Sequence, residues 1–261
     1  MKIASSLLRK IYIALIIIFM YAPIATLIVL SFNASKSRAK WGGFTTKWYV
    51  SLFQNETILQ AFFNTIAIAT LSAIFATIIG AMACLAIDSM RRKGKTFWMG
   101  ITNIPMLNAE IVTGISLMLV FIFLGIKFGF ITILIANITF NIPYVILSIM
   151  PRMKTLNAST YEAALDLGAS PVKAFFKVVM PDLFPGIVSG FLMAFTMSID
   201  DFVITHFTKG PGVDTLSTKI YTEVKKGIKP EMYALSTIIF VTILVLLFLV
   251  NISGNDNKKK L

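Results

Sequence analysis

The sequence predicts an all-α membrane protein with about six transmembrane helices. Of its 261 residues, 57% are hydrophobic and only 14% are charged, and the mean hydropathy is +0.82, a value that soluble domains rarely reach. The apolar residues are gathered into runs of about 20 residues or more, and a helix of that length crosses the hydrocarbon core of a bilayer. The predicted spans are residues 11–32, 58–87, 97–126, 130–150, 186–205 and 233–252.

The charge and the reactive side chains exclude several classes of function. The net charge is +12, but the basic residues fall in short segments between apolar runs, so membrane lipid and topology explain them better than nucleic acid. One cysteine, Cys84, allows no disulfide framework, and one histidine, His206, allows no histidine-based metal cluster within this chain. Residues 1–261 are therefore predicted to form a single transmembrane domain, with little chain left for a soluble catalytic unit.

The first span is predicted to be an uncleaved helix. Arg9 and Lys10 precede it, no small-residue cleavage site follows it, and Pro23 is tolerated inside a membrane helix. Residues 33–56, which come next, are polar with many aromatic residues, a composition typical of a segment that lies along the membrane surface. These aromatic residues are Trp41, Phe44, Trp48, Tyr49 and Phe53.

The second span carries small residues at every fourth position, a pattern that lets a neighbouring helix approach closely. One row is Ala69, Ala73, Thr77 and Ala81, and a parallel row is Ala76, Gly80 and Cys84.

The segment 88–96 is basic and is predicted to be cytoplasmic. Its Gly94-Lys95-Thr96 resembles the end of a phosphate-binding P-loop. However, Ser89 stands where the first glycine of that motif would fall, and no soluble strand precedes it. No ATP binding is therefore expected in this chain.

The third and fourth spans carry polar residues whose role the sequence leaves open. The third is interrupted around Pro105, Asn108 and Glu110, and a carboxylate in an apolar run usually faces protein or a water-filled path. The fourth carries Asn137 and Asn141, which either hold helices together or line a pathway.

The fifth span repeats small residues at every fourth position and ends in two carboxylates, Asp200 and Asp201. Its stripe either packs closely against another helix or faces a pore. Beyond a Gly210-Pro211-Gly212 turn, residues 216–228 are predicted to form an amphipathic helix. The stripe consists of Gly186, Gly190, Ala194 and Ser198.

Residues 159–186, between the fourth and fifth spans, are predicted to form two short helices joined by a glycine turn. Ser159 with Glu162 three residues later is a capping box that begins the first helix. Gly168 closes that helix in the left-handed conformation. The second helix is predicted to begin at Ser170 and Pro171 and to end at Pro181 and Pro185.

The same segment resembles the EAA loop of ABC importer permeases. The family pattern is Glu-Ala-Ala, three residues, Gly, nine residues, Ile, one residue and Leu-Pro, and only Val178 and Met180 depart from it. The resemblance implies that residues 159–186 form a cytoplasmic loop that couples the membrane domain to an ATPase. The alternative is that they form a helical hairpin with no role in coupling. The residues that would carry the coupling are Glu162, Ala163, Ala164, Asp166, Gly168 and Pro181.

The resemblance extends over nearly the whole chain to permeases of spermidine/putrescine importers. It is carried by Ser31-Phe32-Asn33, by residues 41–45 and by residues 198–236. It implies the MetI-like fold of an ABC type I importer, in which this chain is a permease domain and not an enzyme. The implied partners are a sister permease, two copies of an ATPase that hydrolyses ATP outside this chain, and an extracytoplasmic polyamine-binding protein.

The resemblance also implies a cation path. A polyamine is a polycation, and a hydrated cation crosses hydrocarbon only with compensating charge or water. The predicted path therefore includes Glu110, Asp200 and Asp201, although a purely structural role is an equally good explanation for each acid taken singly. Two other functions stay open: a permease for another small organic solute, and a secondary transporter in which these acids carry protons or ions. A membrane-embedded enzyme is disfavoured because Cys84 and His206 lie far apart in the sequence.

An even number of spans places both termini on the same side of the membrane. Lys and Arg number 14 on that side and 10 on the other, which is only a modest bias. The resemblance decides the orientation, because an EAA loop must meet a cytoplasmic ATPase. Both termini, residues 88–96 and the lysines at positions 258–260 are therefore predicted to be cytoplasmic, in a multi-pass protein of a bacterial plasma membrane.

Overall fold

The fold is helical, as the sequence predicts. A computed structural model describes residues 2–156 and 158–256, and β-type pairing within them is confined to one isolated bridge between Asn33 and Phe44. A π-helical turn, Phe175–Val179, joins α8 to α9. The α-helices are α1 (Lys2–Ser31), α2 (Lys47–Gln54), α3 (Glu56–Ser89), α4 (Arg92–Leu107), α5 (Glu110–Phe123), α6 (Phe130–Thr155), α7 (Ala158–Asp166), α8 (Pro171–Ala174), α9 (Met180–Asp200), α10 (Val203–Thr208), α11 (Leu216–Lys226) and α12 (Pro230–Asp256).

Most of the predicted spans appear as long apolar helices. Within the described residues, four helical stretches are long and apolar enough to cross a membrane: Arg9–Ser31, Glu56–Ser89, Phe130–Thr155 and Pro171–Asp200. The interrupted third span is present as α4 and α5, which meet at a bend of 103° and count as a fifth crossing if taken together. The sixth predicted span coincides with α12, a helix of 27 residues. The lysines at positions 258–260 lie outside the described residues.

The bounds predicted for the fifth span are wrong at both ends. Pro181 and Pro185 do not stop the preceding helix, which runs on from Pro171 to Asp200. A proline ring normally clashes with the carbonyl group four residues earlier. Here the wider π-helical turn comes directly before Pro181, and the Met180 N–H donates to the Phe175 carbonyl oxygen, five residues back. The locally widened turn makes room for the ring, so the helix continues.

Contacts divide the chain into two units, and the first contains the residues up to Leu59 and from Ile220 onward. In it, α12 packs against α1 and α2, and Ser51 Oγ donates to Glu231 Oε1 at 2.7 Å. The predicted surface segment is present as a loop followed by α2. Trp41, Phe44 and Phe53 are exposed there, whereas Trp48 is buried and its indole N–H donates to the Asn33 carbonyl oxygen at 2.7 Å.

The second unit, Gln60–Lys219, is organised around the antiparallel pair α6 and α9. All four residues of the α9 stripe are buried, so the close-packing interpretation of that stripe holds within this structure. A Cβ atom added at Gly190 would lie 3.1 Å from Val145 Cγ1, and one added at Gly80 of α3 would lie 2.7 Å from the same atom. Val145 therefore fills the space left by two glycines. The prediction of one permease domain over residues 1–261 stays a prediction.

Candidate functional site

The first helix of the EAA-like segment presents its acidic residues to the outside. Helix α7 begins at Ala158, one residue before the predicted start. Glu162, Ala163 and Asp166 are exposed, while Tyr161 and Ala164 are half-buried. Since α7 packs on the π-helical turn, one face of the helix is fixed and the Glu162 face is left accessible.

The turn after α7 has the geometry that the sequence predicts. Gly168 has a φ of +82°, in the left-handed region. Its N–H donates to the Leu165 carbonyl oxygen at 2.9 Å, and the Ala169 N–H donates to the Ala164 carbonyl oxygen at 3.1 Å. These two bonds form the Schellman motif, which satisfies the last carbonyl groups of a helix. The second helix begins as predicted, with Ser170 Oγ accepting from the Lys173 N–H at 3.4 Å.

The residues predicted to carry the coupling do not include the large apolar side chains that this segment exposes. Leu167 is 89% exposed, Val172 is 67% exposed and Phe176 is 60% exposed. Leu167 directly precedes the turn glycine and does not share the side of α7 on which its other apolar residues lie. This position was the sign in the sequence that Leu167 would be exposed. The surface formed by Glu162, Ala163, Asp166, Leu167, Val172 and Phe176, here called the coupling surface, combines two carboxylates with large apolar side chains. Large exposed apolar side chains outside the membrane-spanning helices are typical of surfaces that contact a partner.

A groove of about 250 Å³ lies beside the coupling surface. Tyr161, Val178 and Asp182 line it from the EAA-like segment and the start of α9, and Asp88 lines it from the end of α3. Asp88 also forms an ion pair with Lys95. The groove therefore brings the basic segment 88–96 and the EAA-like segment to the same end of this unit, as one cytoplasmic face would require.

The three candidate path acids have different surroundings. Glu110 is exposed at the first residue of α5, at the 103° bend, and Asp200 is exposed at the last residue of α9. Asp201 is only 8% exposed. Its carboxylate accepts from the Ile204 and Thr205 N–H groups, each at 2.9 Å, and from the Thr205 hydroxyl at 2.7 Å. Asp201 therefore caps α10, and its predicted path role stays a prediction alongside those of Glu110 and Asp200.

A chain of buried polar side chains connects Asp201 to the packed core. Ser72 Oγ of α3 lies 3.0 Å from Ser198 Oγ of α9, which donates to Asn137 Oδ1 of α6 at 2.9 Å. Asn137 Nδ2 in turn lies 3.4 Å from Asp201 Oδ2. Asn137 thus holds helices together, one of the two roles that the sequence left open for it. Asn141, one turn further along α6, is fully buried.

A family model described as "Binding-protein-dependent transport system inner membrane component" matches residues 77–255. The matched range contains the EAA-like segment, the groove and all three candidate path acids.

Proteins with similar sequences are named as polyamine permeases. The chain is 40% identical over 253 residues to the "Spermidine/putrescine transport system permease protein PotC" of Escherichia coli (strain K12), covering 97% of this chain and 96% of that protein. It is 37% identical over 228 residues to the "Putrescine transport system permease protein PotI" of the same strain, covering 85% and 81%.

The fold is also similar to that of solved structures. A bacterial ABC transporter involved in the import of the acidic polysaccharide alginate contains a chain that superimposes with a TM-score of 0.74 at 19% identity, over 97% of this chain and 96% of that one. At that identity the likeness concerns the fold alone, and together with the family model it confirms the predicted MetI-like fold.

Proposed function

The chain belongs to the family of binding-protein-dependent transport system inner membrane components, and from that premise we propose that it imports a polyamine such as spermidine or putrescine. Family membership makes it a multi-pass inner membrane protein, the permease of an ABC importer and not its enzyme. It also implies a partner permease, an ATPase and a binding protein as kinds of partner. The observation that carries the polyamine assignment is the likeness to the spermidine/putrescine permease, which covers 97% of this chain.

We propose that the coupling surface docks on the ATPase, of which the complete transporter holds two copies. Its large apolar side chains are exposed, so a partner that covers them removes apolar area from water. The two carboxylates, Glu162 and Asp166, are exposed at one helical turn from each other, so a basic partner surface offsets their mutual repulsion. ATP-driven closure of the ATPase pair then moves α7 and α8, and the spans rearrange by alternating access.

Glu162→Lys is expected to weaken ATPase binding and to reduce uptake at least about tenfold, because it places a cation against the proposed basic docking surface. The measurement is co-purification of the ATPase with the membrane subunits, together with uptake of labelled spermidine. Glu56→Lys is the matched control, since it makes the same charge change at the exposed first residue of α3. Normal ATPase binding by the Glu162 variant would contradict the docking proposal.

We propose that Glu110 and Asp200 face the cation during transport, because both carboxylates are exposed and both lie at breaks in apolar helices. Asp200→Asn and Glu110→Gln are each expected to reduce uptake of labelled spermidine by about tenfold, as one compensating charge is lost. Asp214→Asn is the matched control, since its ion pair with Lys209 is part-exposed and contributes little. Wild-type uptake by both variants would make these acids structural. Uptake that needs an ion gradient and no ATP would instead support a secondary transporter.

We propose that the EAA-like segment and both termini are cytoplasmic. In a Cys84→Ala background, a cysteine introduced at Ser170 is expected to resist an impermeant thiol reagent added to intact cells, and to react once the membrane is opened. The matched control is Ser37→Cys, at an exposed position in the first loop, which the same reagent is expected to label from outside. Labelling of the Ser170 variant in intact cells would reverse the proposed orientation.

A further inference from the structure

The hydrogen-bond direction along the buried polar chain is fixed from one end. The Asp201 carboxylate can only accept, so the Asn137 atom that faces it must be the NH₂ group. Asn137 Oδ1 therefore faces Ser198, whose hydroxyl must donate to it. The Ser198 oxygen is then left to accept from Ser72, which also lies 3.2 Å from the Ala69 carbonyl oxygen. The chain runs from Ser72 through Ser198 and Asn137 to Asp201.

Asp201 is a junction of several elements. Beyond its two bonds to the backbone of α10 and one to the Thr205 hydroxyl, its own carbonyl oxygen accepts from Ser217 Oγ at 2.7 Å. Ser217 lies in the first turn of α11, and that turn is held to α3, because the Leu216 N–H donates to Thr65 Oγ1 at 2.8 Å. Because both of its carboxylate oxygens accept hydrogen bonds and its side chain is buried, Asp201 is not placed to receive an ammonium group. The neighbouring residue, Asp200, is exposed and can receive one.

We propose that Asn137 is a positioning residue for cation entry: through its contact with Asp201 it fixes the junction between α9 and α10, and thereby the place of the Asp200 carboxylate. This inference rests on the proposed function in one respect, the assumption that the Asp200 carboxylate contacts the cation. The contact joins α6, which does not break at this level, to the point where α9 ends and α10 begins. Without it, the Asp201 carboxylate keeps its bonds to α10 but loses its contact with α6.

The test exchanges the two side chains. Asn137→Asp opposes two carboxylates and so removes the bond, whereas in Asp201→Asn the amide oxygen at position 201 can still accept from Asn137 Nδ2 and only the charge is lost. In the double variant Asn137→Asp/Asp201→Asn, the NH₂ group at position 201 can donate to the carboxylate at position 137, while the one amide oxygen can still accept from the Ile204 N–H. The Thr205 N–H and hydroxyl, which both donate to Asp201 Oδ2, lose that acceptor. The new carboxylate can still accept from Ser198. The bond is therefore regained with its polarity reversed.

The measurement is uptake of labelled spermidine over a range of concentrations by the complete transporter in vesicles. Asn137→Asp is expected to lose roughly 10- to 100-fold in uptake at low concentration, as expected for a buried hydrogen bond to a charged group, and Asp201→Asn, which keeps a hydrogen bond, is expected to lose less. The loss should lie mainly in the half-saturating concentration, since the ATPase and its docking are untouched. The double variant is expected to regain part of the loss seen in Asn137→Asp. Ser198→Ala, which removes the donor to Asn137 and the acceptor for Ser72, is expected to show a smaller loss of the same kind.

Three results would overturn the proposal. The first is wild-type uptake by Asn137→Asp. The second is a loss in Asp201→Asn as large as that in Asn137→Asp, which would place the charge of Asp201 itself on the cation. The third is a double variant that assembles or transports no better than Asn137→Asp. The role of Asp200 is tested separately by Asp200→Asn in the same vesicles: wild-type uptake there removes the proposed cation contact, whereas recovery in the exchanged pair depends only on positioning.

Discussion

Valine in place of Gly168 is expected to abolish transport while leaving the protein in the membrane. Gly168 has a φ of +82°, where a side chain with a Cβ atom is strained by about 1–2 kcal/mol and a β-branched one by more. A Cβ atom at this position would meet nothing within 4 Å, so the strain is in the backbone and not in packing. The relief of that strain breaks the Schellman motif and separates α7 from α8. The coupling surface would then lose its shape.

The measurement is spermidine uptake together with co-purification of the ATPase. Gly168→Asn is the matched control, because asparagine tolerates the left-handed conformation and should keep most of the activity. Gly43→Val is a second control, since Gly43 also has a positive φ, +102°, with open space around it, but lies in the first loop. Wild-type uptake and normal ATPase binding by the Gly168→Val protein would refute the coupling role of this turn.

Alanine in place of Gly190 is expected to lower the free energy of unfolding by about 1–3 kcal/mol, through overpacking against Val145. The added Cβ atom would lie 3.1 Å from Val145 Cγ1 and 3.4 Å from its Cα atom. Val145→Ala removes the nearer contact, so the double variant Gly190→Ala/Val145→Ala is expected to be more stable than the sum of the two single effects predicts.

Thermal unfolding in detergent measures this coupling. Gly100→Ala is the matched control, because Gly100 lies within α4 and a Cβ atom there meets nothing within 4 Å. That change is expected to be neutral or stabilising by about 0.5–1 kcal/mol. Equal destabilisation at Gly100 and Gly190, or additive effects at positions 145 and 190, would mean that α6 and α9 do not meet at this register.

The features that local chemistry controls were predictable from the sequence. The turn at Gly168 follows from its place after an amphipathic stretch, and the bend in the third span follows from Pro105 and Asn108. The continuation of the helix through Pro181 was not predictable. It depends on the π-helical turn Phe175–Val179, and no residue in that sequence distinguishes it from an ordinary α-helical turn.

The different roles open to Asp200 and Asp201 were equally hidden. Two adjacent aspartates cannot be told apart from the sequence alone. Which of them is buried depends on where α9 ends. The partner of Ser198 was hidden for another reason, since Ser72 lies 126 positions away and serine in a membrane helix gives no sign of which neighbour it meets. Long-range contacts of this kind come from the packing of α3, α6 and α9, which periodicity alone does not specify.

The π-helical turn before Pro181 also sets an angular phase. A turn of this kind is equivalent to one extra residue in an α-helix, and one residue corresponds to a rotation of about 100°. Val172 of α8, on the coupling surface, and the small-residue stripe of α9 that faces α6 are therefore offset from each other by that rotation, relative to an unbroken helix. Removing one residue from Phe175–Val179 would restore the regular spiral and turn the two faces out of alignment. A single extra residue thus decides which way the N-terminal end of this helix faces, while its other end is buried in the core.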